Sequence, residues 1–321
     1  MSALVGHDEA WRAWRSAMQG SRMHHGWILS GKKGMGKATF ALAAAAEVVA
    51  EPGAAQPPPE SHPDILLLEP LPANDDEARK MEEGKPYATK RNISVDQIRR
   101  MQTRLFTRPT LGSRRAIVID AADDLEKGAV NALLKSLEEP PEGTFFLLIA
   151  HQLGRLLPTV RSRCQILRFP SLDDDTVLKA LDRAVPHLDQ LSRNAAVAAA
   201  GGTPGAAIAF AEQDLGRLHD VMESLVRQGD PDFALRGELA TLIGARPDRE
   251  RQLGAIETAR MVLVGHLRDR RGDELARLIE GHQALVRLAA QAPTYNFDPG
   301  LLVLEIGGLL AGVAQTREGA S

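Results

Sequence analysis

Residues 24–39 read HHGWILSGKKGMGKAT, and this stretch decides the fold. GWILS, residues 26–30, is short, apolar and bounded by turn signals, which predicts a buried strand. GKKGMGKAT, Gly31 to Thr39, follows with G-x4-G-K spacing. Gly31, Gly34 and Gly36 permit a backbone that wraps phosphate with its amides inward, and Lys37 reaches the β and γ phosphates. Ala38 to Ala50 is then a strong helical run. Strand, glycine loop and helix in that order predict a nucleotide-type α/β domain.

The chemistry departs from the pattern at two positions. The residue after the lysine should offer a hydroxyl to magnesium, yet Ala38 has no oxygen and Thr39 lies one residue too far along. AIVID, Ala116 to Asp120, predicts a strand ending on a carboxylate where a magnesium-coordinating aspartate would sit. Ala121 follows where a glutamate would orient an attacking water. Asp123 and Asp124 read as solvated first-turn acids. Two readings of the loop stay open: a degenerate nucleotide site at Gly31, Gly34, Gly36, Lys37, Thr39 and Asp120, or a glycine-rich turn that binds nothing. Hydrolysis is not expected from either.

Further short apolar runs, ILLLE, FFLLIA and CQILRF, extend the strand series, and helices fill much of what lies between. Val95 to Phe106 sets Ile98, Met101 and Leu105 on one side of a basic helix. EPGAAQPPPESHPD reads as a loop, and the charged segment from Leu71 to Asn92 as an exposed insertion. After Phe169 the pattern turns entirely helical. Ser171 is expected to cap the next helix, with further helices at Asp232–Ile243, Asp248–Arg268 and Asp273–Ala292. Three domains are expected: residues 1–170, an α/β domain with a parallel sheet; 171–215, a small helical lid; and 216–321, an all-α bundle.

Composition narrows the functional classes. A net charge of −3 argues against indiscriminate nucleic-acid or membrane binding, and 44% apolar residues suffice for real cores. One cysteine excludes a disulfide framework or a cysteine-rich zinc site. The start, MSALVGHDEAWRAWRSAM, lacks a signal-peptide layout, and no apolar run is long enough for a membrane span. A cytoplasmic protein without membrane contact is expected. Arg99, Arg100, Arg104, Arg108, Arg114 and Arg115 occur with no intervening acid, and helical spacing places Arg100 with Arg104. Arg99, Arg100, Arg104 and Arg108 are candidates for DNA-phosphate contact, while the lack of interleaved aromatics argues against base stacking.

HHGWILSGKKGMGKAT, HPD at His62–Asp64, IVIDAADDLEKGAVNALLKSLEEPPEGTFFLLIA and LLPTVRSRC together resemble the bacterial DNA polymerase III clamp loader, in particular its delta-prime subunits. The resemblance covers about the first 170 residues, and NALLKSLEEPP, Asn131 to Pro141, is its most specific part. It implies an AAA+ module, a helical lid and a C-terminal collar, in a five-subunit ring around primer-template DNA. Implied partners are the gamma/tau ATPase and delta subunits, with the sliding clamp and DNA met through the assembly.

In this family the arginine of the Ser162-Arg163-Cys164 motif reaches the γ-phosphate held by the neighbouring ATPase, so Arg163 is expected to act as an arginine finger in trans. The bland alternative is a surface arginine in a basic segment with Arg155, Arg161 and Arg168. Against the family pattern, residues 50–63 hold no cysteine, so no zinc is expected, and Gly201–Phe210 offers no sensing arginine. No cofactor is expected to be required; residual ATP or ADP binding without efficient hydrolysis stays open. The expectation is a non-hydrolysing clamp-loader subunit, inactive alone but part of the polymerase holoenzyme. Its rivals are an active gamma/tau-like ATPase and a DNA-binding AAA+ adaptor outside replication.

Overall fold

The computed structural model describes residues 4–20, 23–51, 53, 55–212, 215–247, 249–267, 270–291 and 298–314. The chain divides into two compact units, Met1–Ser171 and Leu172–Ser321.

In the first unit, five strands form one parallel sheet: β1 (Gly26–Ser30), β2 (Ile65–Leu68), β3 (Arg115–Asp120), β4 (Thr144–Ala150) and β5 (Gln165–Arg168). They lie in the order β2-β3-β4-β1-β5. All five expected strands are present, with ends shifted by about a residue. The helices are α1 (Asp8–Gln19), α2 (Lys37–Val49), α3 (Asp75–Glu82), α4 (Val95–Leu105), α5 (Lys127–Glu138) and α6 (Pro158–Arg161). Alternation along each strand sends side chains to opposite faces. Ile28, Ile117, Ile119, Phe146 and Leu148 join Ile98, Met101 and Leu105 of α4 and Leu133 and Leu137 of α5 in one core. Elsewhere in the unit Trp14 of α1 meets Trp27 edge-on at 5.3 Å, and Phe40 of α2 meets Phe169 at 5.1 Å.

The charged insertion is ordered more than its composition suggests. Asn74 caps α3 by accepting from the Glu77 amide, and the flanks close on each other through Ala73 N–H to Ala88 O at 2.9 Å and Lys90 N–H to Leu71 O at 2.7 Å. No side chain of α3 is buried, so the insertion stands off the core.

A buried pair braces the segment between α4 and β3. Asp64 accepts from the amides of Thr110 (2.6 Å) and Leu111 (2.8 Å). Arg115 donates to the carbonyls of Arg104, Thr107 and Arg108, and its Nη2 lies 3.8 Å from Asp64 Oδ1. The side chains are 3% and 1% exposed. This corrects the grouping of Arg115 with the surface arginines: it opens a buried strand and serves the fold. His62 supports the brace, its Nδ1 accepting from the Asp64 amide.

The second unit is helical throughout its described residues: α7 (Asp174–Ala184), α8 (Gln190–Ala200), α9 (Pro204–Glu212), α10 (Gly216–Gln228), α11 (Ala234–Ile243), α12 (Arg249–His266), α13 (Gly272–Gln291) and α14 (Pro299–Ala314). One buried apolar cluster runs from Val177 on α7 to Val313 on α14. The cap of α7 is Asp173, whose carboxylate accepts from the Thr176 amide at 2.8 Å, rather than Ser171. Asp248, Arg268 and Ala292, ends of two expected helices, lie outside the described residues.

Candidate functional site

The carboxyl ends of β1, β3 and β4 converge at one edge of the sheet, where an open parallel sheet places its ligand crevice. The glycine loop leaves β1 there. Gly34 and Gly36 have φ of 81° and 79°, a left-handed backbone that only glycine adopts without strain. A Cβ on Gly31 would lie 2.4 Å from the Phe169 carbonyl oxygen, so the loop must start with glycine beside β5.

Lys37 is 3% exposed and turns back on the loop. Its Nζ donates to the carbonyls of Gly31 and Lys32, both at 2.6 Å. Burial pushes its pKa down from 10.5 to about 8, against the pull of Asp120 and Asp123. Asp120 ends β3 as expected; burial raises its carboxyl, opposed by Lys37 and Lys33. Ala38 and Thr39 are both exposed on the first turn of α2, and Ala121 is buried. A buried methyl therefore stands where a carboxylate would be needed to turn a water. The Leu4 side chain also packs on Gly36, its Cδ1 2.4 Å from where a Cβ would sit. This donor set does not fit a magnesium nucleotide poised for hydrolysis: the lysine is engaged by the loop's own carbonyls and both partner groups are methyls.

One residue at this edge differs from its sequence reading. Asp123 is a fastener rather than a solvated acid, accepting from the amides of His151 (3.0 Å) and Gln152 (3.1 Å), which ties the exit of β4 to that of β3. His151 is half-buried beside them; burial, then Lys37, hold its pKa below the ordinary value. Glu69, just past β2, was not foreseen. Burial and the nearby Asp120 charge raise its carboxyl, and no local motif marks it.

Arg163 lies away from this crevice, on the turn between α6 and β5. Its backbone is fixed because β1 starts directly against it: a Cβ on Gly26 would lie 2.9 Å from Arg163 O and 3.0 Å from Cys164 Sγ. The side chain is 34% exposed. Nη2 pairs with Glu138 Oε1 at 2.6 Å, and Nη1 donates to Thr159 O at 2.9 Å and more weakly to Ser162 Oγ at 3.4 Å. Glu138 is the last residue of α5, inside the SLEEPP run. Burial pushes the neighbouring Cys164 thiol up to about 12, which leaves it unreactive.

The arginines on and beyond α4 separate into different settings. Arg99 pairs with Asp96 at 3.2 Å and Arg104 donates to the Pro63 carbonyl at 3.1 Å. Arg100 and Arg108 are exposed, and Arg115 is the buried brace. Phe106, which ends α4, is 91% exposed.

The sequence profile of the family described as DNA polymerase III, delta subunit, matches residues 6–173. Among curated relatives, the delta-prime subunit of DNA polymerase III from Pseudomonas aeruginosa is 34% identical over 201 residues, 59% of this chain and 56% of that protein. The Bacillus subtilis delta-prime subunit is 31% identical over 56% of this chain and 53% of that protein. The chain thus spans about half the length of these relatives. A gamma/tau subunit from Mycobacterium tuberculosis is 25% identical over 79% of this chain and 44% of its own. Among solved structures, a DNA polymerase III gamma subunit-related protein from Thermotoga maritima superposes with a TM-score of 0.53 at 16% identity, covering 96% of this chain and all of that one. That likeness shows the fold alone, a parallel α/β domain followed by helices. With the profile matched over the whole α/β unit, glycine loop and Arg163 turn included, the chain belongs to the DNA polymerase III, delta subunit, family of clamp-loader proteins.

Proposed function

We propose that this chain is a delta-prime-like, non-hydrolysing subunit of the DNA polymerase III clamp loader, and that Arg163 acts on a nucleotide held by a neighbouring subunit. The observation that carries the reading is the contrast between the two sites. The chain's own phosphate loop has Lys37 folded onto loop carbonyls and methyls at Ala38 and Ala121. Arg163, by contrast, is partly exposed on a turn whose backbone is rigidly packed against β1. A planar guanidinium of permanent charge suits the stabilisation of phosphate oxygens in a transition state.

In this reading residues 171–215 are the lid and 216–321 the collar that joins the gamma/tau and delta subunits, and the sliding clamp and primer-template DNA are met by the assembled ring. The protein works in the cytoplasm; no described helix is long and apolar enough to cross a membrane. A second reading, an active gamma/tau-like ATPase, is favoured by Lys37 and Asp120 being in place and by the gamma/tau likeness over 79% of the chain. ATP turnover by the purified chain separates the two. The delta-prime reading expects none above background. Steady turnover abolished by Lys37→Ala would establish the ATPase.

A further inference from the structure

The Phe106 segment is an exposed aromatic held on a rigid frame. Phe106 is 91% exposed, more than any other large apolar side chain described. The segment that carries it is pinned from inside. The carbonyls of Arg104, Thr107 and Arg108 accept from buried Arg115, and the amides of Thr110 and Leu111 donate to buried Asp64. The register of α4 explains the outward direction: Ile98, Met101 and Leu105 face the core, so the next residue leaves it.

The surroundings of the ring identify its partner. From Arg99 to Thr110, every exposed residue other than Phe106 is an arginine or a threonine. Such a rim donates hydrogen bonds and carries positive charge. The ring's one exposed large apolar neighbour in this stretch of chain is Leu111, 39% exposed, too little for the apolar collar that keeps water from an aromatic anchor in a protein interface. Asp96, the acid on this helix, is already paired with Arg99. Arg100 and Arg104 stand one helical turn apart, about 5–6 Å between β-carbons, with Arg108 beyond the ring. A π-face flanked by cations is the arrangement that binds single strands, where the base stacks and the phosphates meet guanidinium groups.

We propose that the Phe106 segment is a binding platform for unpaired DNA, in which Phe106 stacks on an exposed base while Arg100, Arg104 and Arg108 hold the adjoining phosphates. The site is remote in sequence from the glycine loop and from Arg163, and it does not depend on the arginine-finger reading. It makes the chain sensitive to single-stranded or frayed DNA, which a patch of arginines alone would not distinguish from duplex.

The test is fluorescence anisotropy of the full chain with a labelled oligothymidylate of about 16 nucleotides, against a duplex of equal length, over a salt series. Tighter binding of the single strand is expected. Phe106→Ala should weaken it about 5- to 100-fold with the salt slope unchanged, and Phe106→Trp should retain it. Arg108→Gln should instead lower the slope of log affinity on log salt by about 0.7. Since these side chains are on the surface, unaltered melting of the variants confirms their folding. The proposal is overturned if the wild-type chain binds no oligonucleotide at low salt, if Phe106→Ala binds normally, or if duplex and single strand lose affinity equally. It is also overturned if Phe106→Ala spares DNA and loosens only a clamp-loader subunit or the sliding clamp, which would make the segment a protein contact.

Discussion

Replacing Arg115 by methionine keeps most of the side-chain volume and removes only the guanidinium. Three backbone carbonyls, of Arg104, Thr107 and Arg108, lose their donor, and Asp64, 1% exposed, is left with the two amides of Thr110 and Leu111. Hydrogen bonds to a charged group contribute about 1.5–3 kcal/mol each, so three at the low end give about 4.5 kcal/mol. Breaking a buried pair from one side costs about 3–5 kcal/mol, and the two routes agree. For a unit of this size 1 kcal/mol moves Tm by about 2–4 °C, so the melting of the α/β unit should fall by about 6–20 °C. Differential scanning calorimetry of the full chain measures this, with urea unfolding as a check. Arg115→Lys should fall in between, because an ammonium cannot span three carbonyls as a planar fork does. A loss below about 1 kcal/mol for Arg115→Met would refute the claim that this pair holds the segment carrying Phe106.

Other expectations follow from single contacts. Folding lowers the Lys37 pKa from 10.5 to about 8, so between those values the unfolded chain binds more protons than the folded one. Stability relative to Lys37→Met should therefore rise from pH 8 to pH 10.5, by up to about 3 kcal/mol, with the full penalty present below pH 8; a flat difference across that window would contradict the burial of this amine. The Arg163–Glu138 pair is partly exposed, at 34% and 48%, and should contribute under about 1 kcal/mol. Glu138→Gln should leave melting nearly unchanged but free the guanidinium, raising DNA-independent turnover of a reconstituted ring by up to about 5-fold. A fall in turnover would mean that Glu138 positions the arginine instead.

Much of the α/β unit was legible because its central strands, β1, β3 and β4, are short apolar runs buried on both faces, which stand out against polar turns. What escaped was depth. Arg115 sat in a row of arginines on paper, yet it opens β3, and its partner Asp64 is about fifty residues away on the far side of α4. Asp123 looked solvated because the amides it accepts from, at His151 and Gln152, arrive from the next strand. The cap of α7 was misplaced for a different reason. SLDDD offers several cap-competent side chains, and the frame is set by tertiary contact, with the Leu172 amide donating to the Gly202 carbonyl. Phe106 had a readable signal, since the 98, 101, 105 register leaves it facing outward, although the basic run around it had been read as lacking an aromatic. Ala38 and Ala121 are legible as side chains without an oxygen, and the structure adds their setting, the first exposed on α2 and the second buried after β3.

The measurement that bears most directly on the central claim is ATP turnover in a ring rebuilt with gamma/tau and delta subunits and either the wild-type chain or Arg163→Ala, stimulated by clamp and primer-template DNA. The account predicts assembly of both rings and a loss of about 10³-fold or more at the adjacent ATPase site in the variant, the range an arginine finger supplies. Equal turnover in the two rings would remove Arg163 from the chemistry and contradict the account.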